Sequence, residues 1–228
     1  MGDIVEFPSN GTSGQGYLAI PDSGRGPGVV VIQEWWGMVD HIRAVCDRFA
    51  AAGFVALAPD LYSGKATSEP DEAGTLMMSL NIEKAAHDMS GAVDEAATRS
   101  GTGDTGVGVI GFCMGGGLAL MVGAQRGDRV KAVVPFYGLI PWPGAQPDYT
   151  KMTAAVQGHY AENDDYFNPE AVAQLESTLS AAGVDHELFV YPGVDHAFFN
   201  DDRPEVYDAG AASQAWDRTI DFLRTHLG

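Results

Sequence analysis

The sequence is poor in cysteine and in positive charge, and it has no long apolar run. Two cysteines in 228 residues, Cys46 and Cys113, are too few for a disulfide framework and point to a reducing, cytoplasmic location. Thirteen Lys and Arg stand against 31 Asp and Glu, a formal net charge of −18. With no basic cluster to offset it, such a chain repels nucleic acid and anionic membrane. No apolar stretch approaches the roughly 18 residues that cross a bilayer. The opening segment, MGDIVEFPSN, lacks a basic region followed by an apolar one, so no secretory signal is expected. There is no internal repeat, no low-complexity tract and no linker of biased composition. The chain is therefore read as one domain, residues 1–228, and as a monomer.

What is present is an alternation of strand-length apolar runs with helical patterns. Ile4–Phe7 and Tyr17–Ile20 flank a Gly/Ser/Asn turn and read as a hairpin. Val29–Gln33 is a continuous β-branched run, as in a strand buried on both faces. Further strands are expected at Phe54–Ala58, Val107–Phe112, Ala132–Tyr137, Ala154–Gly158 and Glu187–Tyr191. Helices are expected at His41–Ala52, Ile82–Arg99, Met114–Ala124, Asn168–Ala182 and Glu205–Leu227. Pro141, Pro143 and Pro147 force a loop between two of these. The stretch Asp60–Asn81 is long for a loop in a compact domain, so it is functional or hides a short helix. The pattern implies an α/β fold: a mainly parallel sheet, helices on both faces and an antiparallel hairpin at the start. Ligands of such sheets bind beyond the C-terminal strand ends.

One of those ends is unusual. Gly111-Phe112-Cys113-Met114-Gly115 has the G-x-S-x-G spacing with Cys at its centre, between a buried strand and a Gly-rich helix. A sharp strand-to-helix turn presents its central side chain at the top of the sheet and needs small neighbours, here Gly111, Gly115 and Gly116. The helix N-terminus offers free N–H groups and a positive dipole end, which favour a thiolate. The Met114 N–H is placed to form half of an oxyanion hole. Cys46 lies on the apolar face of a helix and reads as structural.

Nucleophile, acid and base follow in that chain order on such a scaffold. Of six histidines, His196 is in the loop between the last strand and the last helix, where the base belongs. The acid is expected after the strand at 154–158, in a loop that includes His159, Glu162, Asp164 and Asp165. Spacing does not choose between Asp164 and Asp165. No metal-ligand cluster and no phosphate-binding G-x-x-x-x-G-K loop is present, so no cofactor is expected. The Gly106–Gly111 run falls inside a strand, which speaks against a dinucleotide site.

Four motifs together make the chain resemble the dienelactone hydrolase family over nearly its whole length. They are Gln33-Glu34-Trp35-Trp36-Gly37, Gly111-Phe112-Cys113-Met114-Gly115-Gly116, Glu162-Asn163-Asp164 and Asp195-His196-Ala197-Phe198. The resemblance implies the α/β-hydrolase fold and a carboxylic ester or lactone hydrolase working through Cys113, His196 and Asp164. It implies that Glu34 lies beside the resting thiol and moves when substrate binds, and that Trp35 supplies the second oxyanion N–H. Members that cleave dienelactone grip its carboxylate with arginines. Here Leu61–Asn81 contains no Arg, the position four beyond His196 is Asn200, and Arg203 is displaced. The expected substrate is thus a small neutral or hydrophobic ester or lactone, in a pocket walled by Trp35, Trp36, Tyr137, Trp142, Phe198 and Phe199. Two rival readings are a promiscuous carboxylesterase or thioesterase, and a noncatalytic binding or redox-sensing protein in which Cys113 is an oxidisable switch.

Overall fold

The computed structural model describes residues 1–103 and 105–228; Asp104 lies outside the described residues. The opening hairpin is formed by β1 (Asp3–Ser9) and β2 (Thr12–Ala19), joined through Asn10 and Gly11, both at positive φ. Six further strands follow among the described residues: β3 (Gly28–Ile32), β4 (Val55–Pro59), β5 (Val107–Phe112), β6 (Val130–Phe136), β7 (Ala155–Asn163) and β8 (His186–Asp195). They join one sheet in the order β1-β2-β4-β3-β5-β6-β7-β8. β2 is antiparallel to both neighbours, and every pairing from β4 to β8 is parallel. The expected α/β architecture, with its antiparallel start, is the one observed.

The helices are α1 (Asp40–Ala51), α2 (Pro70–Met78), α3 (Ile82–Ser100), α4 (Met114–Gln125), α5 (Pro169–Ala182) and α6 (Ala209–Leu227). The period of two in the strands sorts them into layers. Val30 and Ile32 of β3 belong to one buried cluster with Met89 and Val93 of α3, Leu118 of α4 and, further along the sheet, Leu179 of α5. Val29 and Val31 face the other way, with Ile42 and Phe49 of α1 and Ile220 and Leu223 of α6. Both sets are fully or almost fully buried, so a central strand must be apolar without a break. Each such side chain contributes about 1.5–3 kcal/mol relative to exposure.

Three helices start on a polar cap. The side chains of Asn81, Asn168 and Asp208 accept from the N–H of Lys84, Ala171 and Ala211 at 3.0, 3.0 and 2.8 Å. Each cap stabilises by about 1 kcal/mol. The Asp208 cap also explains a difference from the sequence reading. The last helix begins at Ala209 rather than Glu205, because 200–207 is folded into turns held by Arg203 N–H to Asn200 C=O at 3.1 Å and its neighbours. β7 and β8 outrun their expected ends, since ladder pairing continues through a register shift to Asn163 and Asp195. This extension places His159 inside a strand, fully buried, rather than in the acid loop. The stretch 60–81 does hide a helix, α2, which buries only Ala73.

Among the described residues no helix is long and apolar enough to cross a membrane.

Candidate active site

The C-terminal ends of β3, β5, β7 and β8 converge on one cavity of about 760 Å³. Cys113 stands between β5 and α4 with φ 53° and ψ −119°, a conformation that side chains other than glycine rarely adopt. Close approach is what the surrounding glycines permit. A Cβ on Gly111 would lie 1.9 Å from the Gly115 carbonyl oxygen, and one on Gly138 would lie 1.8 Å from that of Cys113. The turn is pinned by the Cys113 N–H donating to the Phe136 carbonyl at 3.0 Å and the Gly116 N–H donating to the Cys113 carbonyl at 2.9 Å. Tyr137 and Ala197 are also at positive φ, 36° and 66°. Three strained residues, of order 1–3 kcal/mol each, thus border one site, which is where folds tend to store strain.

His196 rides on the loop after β8. Its Nδ1 is 2.6 Å from Asp164 Oδ2. Asp164 Oδ1 accepts from the N–H groups of Tyr166 and Phe167 at 2.8 and 2.9 Å, so the carboxylate is fixed by the turn that follows β7. Of the two aspartates that spacing left open, Asp164 is the one in contact with the imidazole; Asp165 is exposed at the cavity. The Asp164 side chain is fully buried. Burial raises its carboxyl pKa, but the hydrogen bonds from His196, Phe167 and Tyr166 outweigh this and hold it below the usual range. Burial likewise works against a charged His196. The hydrogen bond to Asp164 and the nearby Cys113 thiol win and push the imidazole up to about 10. The other thiol, Cys46, is fully buried on α1, and burial pushes it up out of the reactive range.

Glu34 lies just beyond β3, almost fully buried, and lines the cavity beside Cys113. Its Oε2 accepts from Asn200 Nδ2 at 2.8 Å. The position four residues beyond His196 therefore reaches the site as a neutral amide bound to Glu34. Trp35 and Met114 line the same cavity. Met114 opens α4, where the first backbone N–H groups have no acceptor within the helix. The Tyr62 hydroxyl donates to the Met114 sulfur at 3.5 Å and steadies that side chain.

Four of the aromatics expected in the pocket wall are placed differently. Trp36 lines the cavity, packed edge-on to Trp35 at 4.9 Å. Tyr137, Phe198 and Phe199 do not. All three are buried in the core below, where Phe112, Phe136 and Phe199 stack and Tyr137 underlies His196 at 5.2 Å between ring centroids. Each of the three has 1% or less of its surface exposed. Trp142 packs against the core face and is not in the wall. The apolar lining comes instead from Met77 of α2, from Leu139 and Ile140 after β6, and from Phe167. Leu139, Ile140 and Phe167 lie in loops without periodicity, and Met77 lies near the end of a short helix that buries only Ala73. The rule that ligands sit beyond the strand ends was the one available signal for them. No group of residues that could hold a metal is found among the described residues.

The family model described as "Dienelactone hydrolase family" matches residues 15–227. "Protein usf" of Aquifex pyrophilus is 40% identical over 238 residues, covering 100% of both chains. A protein of Aquifex aeolicus named "Putative carboxymethylenebutenolidase" is 36% identical, again over 100% of both. Among solved structures, one described as a "Putative Dienelactone Hydrolase" from Klebsiella pneumoniae has a TM-score of 0.84 at 29% identity and covers 98% of each chain.

Proposed function

We propose, from the premise that this chain belongs to the dienelactone hydrolase family and is a carboxylic ester hydrolase, that it cleaves small neutral esters or lactones through Cys113, His196 and Asp164. The observation that carries the reading is that Asp164 Oδ2 lies 2.6 Å from His196 Nδ1, and that His196 and Cys113 line the same largely apolar cavity. With its proton passed to His196, the Cys113 thiolate attacks the ester carbonyl. The oxyanion that forms is held by the Met114 and Trp35 N–H groups. As the tetrahedral intermediate collapses, charged His196 gives its proton to the leaving alkoxide, and an acyl-thioester remains on Sγ. His196 is now neutral. It takes a proton from water, the hydroxide attacks the thioester, and the acid product leaves with the thiolate restored. Asp164 keeps the imidazole in one tautomer and stabilises its charged form throughout. A thiol that must stay reduced also suits a reducing compartment.

An imidazole held charged up to about pH 10 sets the alkaline limit of this cycle. kcat/KM for a neutral ester should stay flat through pH 8–9 and fall with one-proton slope near pH 10. A fall centred near the ordinary histidine value contradicts the ion-pair reading. The same shift is linked to stability. Because the folded value lies above the unfolded one, the contribution is complete below about pH 6.5 and is lost as pH rises through about 10.

The cavity's own charges argue for a neutral substrate. Glu34, Asp165 and Asp195 line it, against Arg203, already paired to Glu205 at 2.9 Å, and the His196 imidazolium, whose charge Asp164 offsets. A substrate carboxylate would meet net negative potential on a chain that carries −18 overall. For matched p-nitrophenyl monoesters with and without a free carboxylate, kcat/KM should favour the neutral one by ~10-fold, the value of about 1.4 kcal/mol of repulsion. Equal rates, or preference for the anion, would show that Arg203 leaves Glu205 to clamp the substrate.

A further inference from the structure

A second cavity, of about 700 Å³, adjoins the catalytic one. Trp35 and Pro70 line both, so the indole stands between them. The two cavities also divide α2: Met77 lines the catalytic pocket, while Gly74 and Met78 line the outer groove. Met78 is 71% exposed, an apolar side chain at the groove's open edge. Gly74 keeps the groove clear, since a Cβ there would meet only the Trp35 ring, at 4.0 Å. Trp35 itself is held in place. Its ring packs edge-on to Trp36 at 4.9 Å, and the Arg203 guanidinium lies over the Trp36 ring at 5.7 Å. The turn that carries both indoles is tied to the segment leading into α2. The Thr67 N–H donates to the Trp36 carbonyl at 3.0 Å, and Gly37 bridges Ala66. At Gly37, with φ 92°, a Cβ would lie 2.5 Å from the Lys65 carbonyl oxygen, so this approach needs glycine. The Thr67 hydroxyl then donates to Glu72 of α2 at 2.7 Å. The indole and the helix beside it thus share one framework.

We propose that the Trp35 indole sets the length of substrate the site accepts: it ends the apolar pocket short of the groove along α2, and so confines hydrolysis to esters and lactones whose chain fits beside Met77, Leu139 and Phe167. The inference deepens the ester-hydrolase reading and rests on it. Each methylene that enters an apolar pocket raises kcat/KM by ~4-fold. A chain that reaches the wall gains nothing more, and to go further it must displace an indole packed on a second indole. Without that indole the pocket of about 760 Å³ opens into the groove of about 700 Å³, and a longer chain can lie along α2 between Gly74 and Met78.

The test is the chain-length profile of kcat/KM on p-nitrophenyl esters from acetate to dodecanoate. In the wild type it should climb by ~4-fold per methylene while the chain stays in the pocket, then fall beyond a short optimum. Trp35→Ala keeps the backbone N–H proposed for the oxyanion. It should move the optimum out by about two methylenes or more, so that an ester of that length gains ~10-fold relative to the acetate. Gly74→Phe alone should leave the wild-type profile as it is, because the groove lies outside the wall. Added to Trp35→Ala, it should bring the optimum back, since the new ring fills the space the chain had entered. A wild-type profile that climbs without a break to dodecanoate, an unmoved optimum in Trp35→Ala, a profile shortened by Gly74→Phe alone, or a double variant as permissive as Trp35→Ala overturns the proposal. Should Trp35→Ala fail to fold, Trp35→Leu takes its place and must extend the optimum in the same direction; an unmoved optimum there overturns the proposal equally. Cys113→Ala in parallel tests the nucleophile itself. Retained turnover there defeats the site reading, whereas lost turnover there with an unmoved optimum in Trp35→Ala defeats the wall alone.

Discussion

Cys113→Ala should lose at least ~10⁴ of kcat on a neutral activated ester and keep its fold, with KM little changed. The size follows from what the substitution removes. Without sulfur no acyl-enzyme forms, and water must attack directly, helped only by the oxyanion donors and by positioning. Those remaining parts still give some catalysis over water, so the loss is large but finite. The fold should survive because Cys113 is only half-buried and the turn is held by backbone bonds from Cys113 to Phe136 and from Gly116 to Cys113, which alanine keeps. Alanine carries the same cost at φ 53° as cysteine does, so no new strain is added. Far-ultraviolet circular dichroism and a thermal melt separate the two effects. A folded variant with near-normal turnover would remove the sulfur from the mechanism.

Asp164→Asn should cost ~10³–10⁴ in kcat, while Asp165→Asn changes it by less than about threefold. The amide can present its NH₂ to His196 Nδ1, which forces the proton onto the other ring nitrogen and leaves it pointing the wrong way. The amide also cannot balance the imidazolium. The value near 10 for His196 depends on that carboxylate first and on the thiol second, so the alkaline limit should move down in Asp164→Asn. Asp165 sits one residue along, exposed and not bonded to the imidazole. A large loss in Asp165→Asn with Asp164→Asn near normal would shift the acid by one residue.

The parts of the fold legible in the sequence were those fixed by period and by punctuation. Val29–Gln33 reads as a doubly buried strand because both faces of β3 are covered, and Asn168 with Pro169 and Gly183 marks α5 to within a residue. Strand ends were less visible. β7 and β8 continue to 163 and 195 because they pair with each other past a register shift, and pairing leaves no mark on one strand alone. The start of α6 was misplaced for a related reason: turns bonded through Asn200 and Arg203 carry helix-like residues without a helix.

The site divided in the same way. The placing of Cys113 at a strand-to-helix turn and of His196 in the loop after β8 was legible, because a strand-turn-helix with small neighbours and a loop histidine have fixed places in the chain order. Asp164 was not separable from Asp165 by spacing; its turn, closed by the Tyr166 and Phe167 N–H groups, decides which carboxylate faces inward. The aromatics misled. Tyr137, Phe198 and Phe199 flank the motifs in sequence, but alternation along a strand end and a tight loop turns them into the core. The real wall, Met77, Leu139, Ile140 and Phe167, comes from segments whose positions only the closed fold sets.

The most direct test is to trap the intermediate. A slowly hydrolysed neutral ester, mixed with the protein, quenched in acid within the first turnovers and weighed as intact protein, should show one added acyl group. Peptide mapping should place it on Cys113, and it should be gone when the substrate is exhausted. Acyl label on another residue, or steady turnover with no labelled protein at any time, would contradict the thioester route.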